Sequence, residues 1–252
     1  MPTQRLRIGK GPGGGLRKEA VIGFYCLSYT TSSWNGLPSL SVPSIVNVVV
    51  LPSFDNTAVN EEFVARALEL APRHGYVLDI GTGPADIAIL LAQRAPGLRI
   101  LAIDLGEHML ATARRNVLDA ELLDRIEIRR ADAKATGLPA ASFDMVISNS
   151  LVHHIPEPGA LFAEVARVAT PSAGLFIKDL HRPETELELQ QLVETYASGC
   201  TEYQRRTFRD SLHAGLTLSE VAALCARLNF PGLEIHRPSD RHWCLERRST
   251  AG

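Results

Sequence analysis

From residue 55 onward, short apolar runs alternate with longer stretches in which apolar residues recur every three or four positions. The runs predict strands at residues 76–80, 99–103, 125–130, 143–148 and 174–178, and the periodic stretches predict helices at residues 56–71, 85–95, 107–118 and 158–169. Strands that alternate with helices in this way are typical of right-handed β-α-β crossovers and a parallel sheet. Near-continuous apolar strands such as residues 145–147 fit a sheet that is covered on both faces.

Beyond Pro183 the pattern becomes mostly helical and then closes with two further strands. Helices are predicted at residues 184–197, 202–213 and 218–228, and strands at residues 233–236 and 242–247. The predicted fold class is therefore α/β, with a mostly parallel seven-stranded sheet, helices on both of its faces and an antiparallel last strand.

The first 54 residues show no sustained helical or strand period. Residues 11–15 are nearly all Gly and Pro, and Glu19 is the only acid in a segment with several basic side chains. We expect residues 1–54 to be an appended or poorly ordered segment, with an organelle-targeting peptide as the alternative. Residues 55–252 are expected to form one domain, in which the helical stretch at about 184–228 acts as a cover.

Composition narrows the choice of partners and compartment. The formal net charge of −2 provides no basic excess to neutralise phosphates, so nucleic acid is disfavoured as a partner. No apolar run approaches the roughly 20 residues that a membrane-spanning helix needs. The four cysteines are scattered and have no His at metal-ligand spacing, so we expect free thiols, no metal site and a cytoplasmic location.

Chemistry-bearing residues cluster at the predicted turn from the first strand, residues 76–80, into the helix that follows. Gly81 and Gly83 lie there, between Asp79 and Asp86. Glycines allow the backbone to approach a ligand closely, and ligands of open α/β sheets bind at the carboxyl ends of the strands. A dinucleotide-binding turn would carry a third Gly where Asp86 stands, and carboxylates would repel a diphosphate. The two acids therefore favour a cationic ligand.

The run Asp79-Ile80-Gly81-Thr82-Gly83 resembles the first motif of the class I S-adenosylmethionine-dependent methyltransferases, which have a Rossmann-like fold. Thr82 occupies a position where that family often has Cys or Ser. The resemblance implies that Asp79, Gly81, Thr82 and Gly83 hold the methionine part of S-adenosylmethionine.

Later strand ends supply further candidate contacts to this cofactor. Asp104 follows the second strand, where a carboxylate can accept hydrogen bonds from both ribose hydroxyls. The resemblance places Asp132, after the third strand, on the adenine amino group, with Ala133 beside it. It also places Met109 near the adenosine. The alternative for Met109 is that it packs in the core, as helical Met residues often do. Acids at the ends of three consecutive strands strengthen the cofactor assignment.

The residues after the fourth strand are candidates for the substrate side. The resemblance places Asn149, Ser150, His153 and His154 beside the transferred methyl group, and we expect Asn149 and Ser150 to contact the cofactor as well. His is the natural base near neutral pH, so His154 and His153 are predicted catalytic residues. The alternative for His154 is that it braces the loop.

Asp179, at the end of the fifth strand, is the third catalytic candidate. A pair between Asp179 and Arg182 would either orient the substrate or be a structural ion pair. Tyr196 lies in the helical cover, where its ring either lines the substrate site or packs between helices.

The predicted function is methyl transfer from S-adenosylmethionine to a small molecule by in-line displacement. In overall style the chain resembles the ubiquinone- and menaquinone-biosynthesis type of methyltransferase. The alternatives are a nicotinamide-dependent oxidoreductase, which shares the glycine turn and Asp104 but leaves Asp132 unexplained, and a non-catalytic protein that binds S-adenosylmethionine. The sequence leaves open the acceptor atom, the use of a general base and the oligomeric state, with a homodimer as one candidate.

Overall fold

The computed structural model describes residues 7–10 and 57–251, except 227 and 229. In chain order, these residues form the strands β1 (Arg7–Lys10), β2 (Gly75–Ile80), β3 (Leu98–Asp104), β4 (Ile126–Arg130), β5 (Phe143–Asn149), β6 (Ala169–Leu180), β7 (Glu234–Arg237) and β8 (His242–Arg247). The α-helices are α1 (Thr57–Leu70), α2 (Asp86–Arg94), α3 (Glu107–Asp119), α4 (Pro158–Val168), α5 (Glu186–Ala197), α6 (Glu202–Ala214) and α7 (Leu218–Cys225). A short 3₁₀ turn, Val152–His154, precedes α4.

The strands form one sheet in the order β1-β7-β8-β6-β5-β2-β3-β4. Strand β8 pairs antiparallel with both β6 and β7, and the other pairs are parallel. The predicted α/β fold is therefore confirmed, including its seven strands and antiparallel last strand. Residues 7–10 add an eighth strand at the edge beside β7, which the pattern did not predict. This strand lies inside the segment predicted to be appended; the remainder of residues 1–54 lies outside the described residues.

The sheet separates two apolar cores, which explains why its central strands are almost entirely buried. One face packs against α1, α2 and α3 through side chains such as Phe63, Leu91 and Val117. The other face packs against α4 and α7 through side chains such as Phe162 and Val221. Burial from both sides favours the continuous apolar strands seen in the sequence. It leaves the carboxyl ends of the parallel strands as the edge where polar side chains collect.

The helices after β6 form a third, smaller core over the carboxyl end of that strand. Leu180 of β6 packs there with Leu189 and Leu192 of α5 and with Phe208 and Leu212 of α6. Thr residues at positions 185, 201 and 217 cap the amino ends of α5, α6 and α7 by accepting backbone hydrogen bonds. The fold thus places α5 and α6 against the carboxyl end of β6.

Strand β6 is longer than the prediction, which began it at residue 174. Ala169, predicted as the last residue of a helix, pairs instead with Phe143, and the register then shifts before Met145 pairs with Gly174. Arg247 stabilises this irregular stretch, because its guanidinium donates to the carbonyl oxygens of Ala173 and Pro171 at 2.6 Å each. The periodicity of residues 158–169 gave no signal for this change.

None of the helices in the described ranges is both long and apolar enough to cross a lipid bilayer.

Candidate active site

Asp79 is the penultimate residue of β2 and lies inside the protein, with only 3% of its surface exposed. Its Oδ2 accepts a hydrogen bond of 2.7 Å from the Thr82 hydroxyl. Burial raises the pKa of Asp79 to about 7, and the negative charge of Asp104 adds to the rise while the Thr82 hydrogen bond opposes it. Among the described residues no basic side chain forms an ion pair with Asp79. The site therefore holds a buried carboxyl group that a bound cation would stabilise as an anion.

The two glycines of the turn between β2 and α2 lie in different surroundings, so each position requires glycine for a different reason. Both have positive φ, +76° at Gly81 and +54° at Gly83. A Cβ atom at Gly81 would lie 2.9 Å from Cδ2 of Leu151, so the loop after β5 packs directly against this backbone. A Cβ atom at Gly83 would meet nothing within 4 Å. Gly83 therefore faces open space at the sheet edge, where a ligand could approach its backbone.

Asp104 joins this turn to the next strand end. Its Oδ2 accepts from the Gly83 backbone N–H at 3.0 Å, and its Oδ1 accepts from the Gly106 N–H at 2.8 Å. Each carboxylate oxygen has a second lone pair that remains for a hydroxyl donor. Met109, on the first turn of α3, is partly buried. The structure thus brings Asp79 and Asp104 together around one glycine turn.

Asp132 lies at the adjacent strand end but in a more open setting. It follows β4, and the Ala131 N–H just before it donates to the Asp104 carbonyl at 3.1 Å. Its carboxylate pairs with Lys134 at 2.8 Å and is 39% exposed. The hydrogen bonds from Lys134 lower the pKa of Asp132. Ala133 packs against the core on the α4 side of the sheet.

The end of β5 continues the same edge. Asn149 and Ser150 are partly buried, and Ser150 has a positive φ of 56°, which is uncommon for a residue with a side chain. The Ser150 N–H donates to the Lys178 carbonyl at 2.9 Å, and the hydroxyl of the buried Ser148 donates to the Ile80 carbonyl at 2.8 Å. These bonds fix the chain between the glycine turn and the end of β6.

His153 and Asp179 form a buried pair beside this chain. His153 Nδ1 lies 2.7 Å from Asp179 Oδ1, and the two side chains are 2% and 1% exposed. Asp179 also accepts from the backbone N–H groups of Val152 at 2.6 Å and Leu180 at 2.7 Å. A carboxylate that accepts three donors orients the ring with its Nδ1 proton toward Asp179. Nε2 of His153 is buried and has no hydrogen-bond partner among the described residues.

The expected pair between Asp179 and Arg182 is wrong. Asp179 points into the protein because the Val152 backbone and His153 occupy both of its oxygens. Arg182 lies past the end of β6, where its guanidinium pairs with Glu220 and donates to the Gly215 carbonyl at 3.2 Å. Arg182 thus ties the segment after β6 to α7.

The remaining candidates are His154, which lies beside His153, and Tyr196, which contacts the segment before β8. The ring of His154 lies 4.0 Å from that of His153, centroid to centroid. The Tyr196 hydroxyl donates to Asp240 at 2.6 Å, and the Arg241 guanidinium lies 3.7 Å above the Tyr196 ring. A cation–π contact and a hydrogen bond therefore hold Tyr196 at the amino end of β8.

A cleft of about 690 Å³ opens between the 3₁₀ turn, α4 and α7. His153, His154, Arg182 and Glu220 supply its polar groups, and the other lining residues are apolar, including Ile155 and Leu224. The candidate base and an ion pair thus share one largely apolar cleft of a size that suits a small molecule.

Several of these contacts were not foreseen from the sequence. The Thr82 hydroxyl contacts Asp79, and the available signal was a spacing of three residues across a tight turn. Leu151 under Gly81, Glu220 beside Arg182 and Arg241 over Tyr196 are contacts between distant segments. No local pattern reports such pairs, because they depend on the packing of separate elements.

Comparisons with known proteins agree with this geometry. Residues 77–172 match the family described as a methyltransferase domain. Together with the fold and the turn at Asp79, this match places the chain among the class I S-adenosylmethionine-dependent methyltransferases.

Particular relatives can also be named. The chain is 34% identical over 107 residues to a ubiquinone biosynthesis O-methyltransferase from Hahella chejuensis, covering 42% of this chain and 43% of the relative. It is 31% identical over 182 residues to a malonyl-[acyl-carrier protein] O-methyltransferase from Geobacter sulfurreducens, covering 71% of this chain and 65% of the relative. The matches thus span about half to two thirds of these relatives' lengths.

The fold is shared with solved structures. Phosphoethanolamine N-methyltransferase 2 from Haemonchus contortus, in complex with S-adenosyl-L-methionine, matches with a TM-score of 0.57 and 21% identity, over 71% of this chain and 38% of that one. At this level of identity the likeness concerns the fold.

Proposed function

We propose that the protein transfers a methyl group from S-adenosylmethionine to an oxygen of a small molecule. The observation that carries the proposal is the buried carboxyl group of Asp79, whose pKa is raised to about 7, beside Asp104 at a glycine turn on the ligand edge of the sheet. A cation bound there would relieve the electrostatic cost of this anion. The match of residues 77–172 to a methyltransferase domain supports the same reading.

S-adenosylmethionine fits this charge pattern, because it carries an ammonium and a sulfonium and no phosphate. Asp79, Gly81, Thr82 and Gly83 would hold its methionine part, and the free lone pairs of Asp104 would accept the ribose hydroxyls. The remaining proposed contacts are with the adenosine end and the loop after β5, from Met109, Asp132, Ala133, Asn149 and Ser150. Asp132 binds Lys134 through both carboxylate oxygens, and a remaining lone pair would accept from adenine.

The bound cofactor supplies an electrophilic methyl group on its sulfonium. The protein's part is to orient the acceptor and to remove its proton. His153 fits the second task better than His154, because Asp179 holds the Nδ1 proton and leaves the Nε2 lone pair to accept one. Asp179 would act through His153 by stabilising the imidazolium. Both named relatives are O-methyltransferases, and a hydroxyl acceptor would need such a base, whereas a carboxylate acceptor would not.

We place the acceptor in the cleft that His153 lines with His154, Arg182 and Glu220. Its apolar walls would hold a hydrocarbon portion, and the ion pair would contact a polar group at the other end. The helical cover at about residues 184–228 contributes α7 to one wall. A nicotinamide-dependent oxidoreductase is not favoured, because Asp79 and Asp86 oppose a diphosphate at the glycine turn.

The remaining features of the proposal concern the whole protein. We propose that residues 55–252 are the methyltransferase domain, that nucleic acid is not the substrate and that the protein works in the cytoplasm. The net charge of −2 and the free thiols of Cys200, Cys225 and Cys244 support these assignments. A homodimer stays a prediction from the sequence.

The test is a transfer assay with methyl-labelled S-adenosylmethionine and fractionated metabolite extracts. The wild-type protein should label a small molecule, whereas Ala223→Trp, which fills the cleft from an exposed position on α7, should bind the cofactor but transfer little label. Cofactor binding without label in any fraction would favour the non-catalytic alternative. Undiminished transfer by Ala223→Trp would place the acceptor elsewhere.

A further inference from the structure

A second group of chemically capable side chains lies outside the proposed active site, on the face of the sheet that α1 covers. His236 of β7 and Cys244 and Glu246 of β8 each direct a ligand-type atom to one point, and these three atoms lie within 4.8 Å of one another. His236 and Cys244 are partners across the antiparallel pair, and Glu246 follows Cys244 on the same face two residues later. We propose that these three residues form a binding site for a divalent transition metal of the zinc type.

The distances fit shared metal ligation better than direct contacts. His236 Nε2 lies 3.7 Å from Glu246 Oε1, which is too long for a hydrogen bond. Ligand atoms of a tetrahedral zinc centre, with bonds of about 2.0–2.3 Å, lie about 3.3–3.8 Å apart. Binding would therefore draw the three atoms slightly closer. Thiolate, imidazole and carboxylate are all zinc ligands, and a fourth position would remain for water.

The surroundings hold the carboxylate in place for this role. Arg66 of α1 binds Oε2 of Glu246, with its Nε at 3.0 Å, which leaves Oε1 directed at His236. Such a second contact orients a carboxylate ligand. Glu246 is 4% exposed, whereas His236 is 23% exposed and offers a route from solvent. The buried carboxylate of Glu246 and the buried thiol of Cys244 thus lie beside the partly exposed imidazole of His236.

Other charged side chains near the site affect its affinity for the metal. Lys178 of β6 is in register with Cys244 and pairs with Glu62 at 3.6 Å. Burial raises the pKa of the Cys244 thiol to about 12, and the positive charge of Lys178 opposes this rise only in part. The same charge also opposes the metal. With Arg66 already neutralising Glu246, we infer a moderate affinity and not the very tight binding of a four-ligand structural site.

No motif in the sequence indicated this cluster, and no metal was predicted. His236 and Cys244 are eight positions apart, without the short spacings of familiar zinc motifs. They meet because β7 and β8 run antiparallel, which places positions 236 and 244 opposite each other. Bound metal would link β7 to β8, and through Arg66 to α1.

The test is titration of chelator-treated full-length protein with Co²⁺, which reports thiolate ligation by a charge-transfer absorption band. We expect one equivalent to give this band and Zn²⁺ to displace it. The band should vanish in Cys244→Ser and weaken at least tenfold in apparent affinity in His236→Gln. It should persist in Cys225→Ser, a matched control because Cys225 is also buried, with its pKa likewise raised to about 12.

The absence of a thiolate band in the wild-type protein would overturn the proposal, as would a band that survives Cys244→Ser. Because Cys244 is buried and its substitution could impair folding, His236→Gln provides a second, partly exposed variant. Circular dichroism without metal establishes that each variant is folded. Cys26→Ser and Cys200→Ser, which should keep the band, check the other two thiols.

Discussion

At the scale of single residues, the unusual group is the buried carboxyl of Asp79. Its pKa of about 7 in the folded protein exceeds the ordinary value of 3.8, because burial disfavours the anion. The folded state therefore binds more protons than the unfolded state between these two pH values. Stability from this group is fully present below about pH 4 and is lost as the pH rises through 7.

The first prediction concerns Asp79→Asn without cofactor. The displacement from 3.8 to about 7, at about 1.36 kcal/mol per pKa unit, corresponds to at most about 4 kcal/mol of lost stability at pH 8. The variant should recover part of this loss, so it should melt at a higher temperature than wild type at pH 8 and lose that advantage at pH 4. Thermal melts at both pH values measure the difference. An equal shift at both would show that Asp79 is not the titrating group.

The second residue-scale prediction concerns His153. If its Nε2 accepts the proton, His153→Gln should lower kcat by about 10²–10⁴-fold while the cofactor Kd stays unchanged. Asp179→Asn should lower kcat as well, because Asp179 holds the ring through Nδ1. His213→Gln, at an exposed position of α6, is the matched control. A larger loss in His154→Gln than in His153→Gln would assign the base to His154.

At the scale of elements, the turn between β2 and α2 requires its two glycines for different reasons, one structural and one for ligand access. Gly81→Ala places a Cβ against Leu151 at positive φ, so we expect a loss of about 1–3 kcal/mol in the free energy of unfolding. Gly83→Ala meets open space, so it should lose less stability but weaken cofactor binding by obstructing the ligand. Denaturant melts and calorimetric titration separate the two effects. Equal loss of stability in both variants would contradict this division.

Most elements could be predicted from periodicity, because each strand and helix buries a face of its own. Helix α3 and strand β8 agree with their predicted bounds to within one residue. The early start of β6 could not be predicted, since it depends on pairing between Ala169 and Phe143 and on contacts from Arg247. Strand β1 shows the same limit: four residues without a strand pattern pair with β7, which is distant in sequence.

At the scale of the whole molecule, the sequence indicated the edge of the sheet where the candidate residues collect but not their partners. Asp79, Asp104 and Asp132 lie at the carboxyl ends of three strands that are neighbours in the sheet, as a parallel arrangement requires. The partner of Asp179 was wrongly predicted as Arg182, because closeness along the chain was taken for closeness in space. The pairing with His153 depends on β5 and β6 lying side by side.

The central claim is that Asp79 and Asp104 form a site for a cationic adenosyl ligand. Calorimetric titration with S-adenosylmethionine, S-adenosylhomocysteine and NAD tests it most directly, using wild type, Asp79→Asn and the exposed control Asp119→Asn. Wild type and the control should bind both adenosyl ligands and not NAD, and Asp79→Asn should weaken their binding by about 10- to 100-fold, as expected for a lost charged hydrogen bond. Binding of NAD without the adenosyl ligands, or full affinity in Asp79→Asn, would contradict the account.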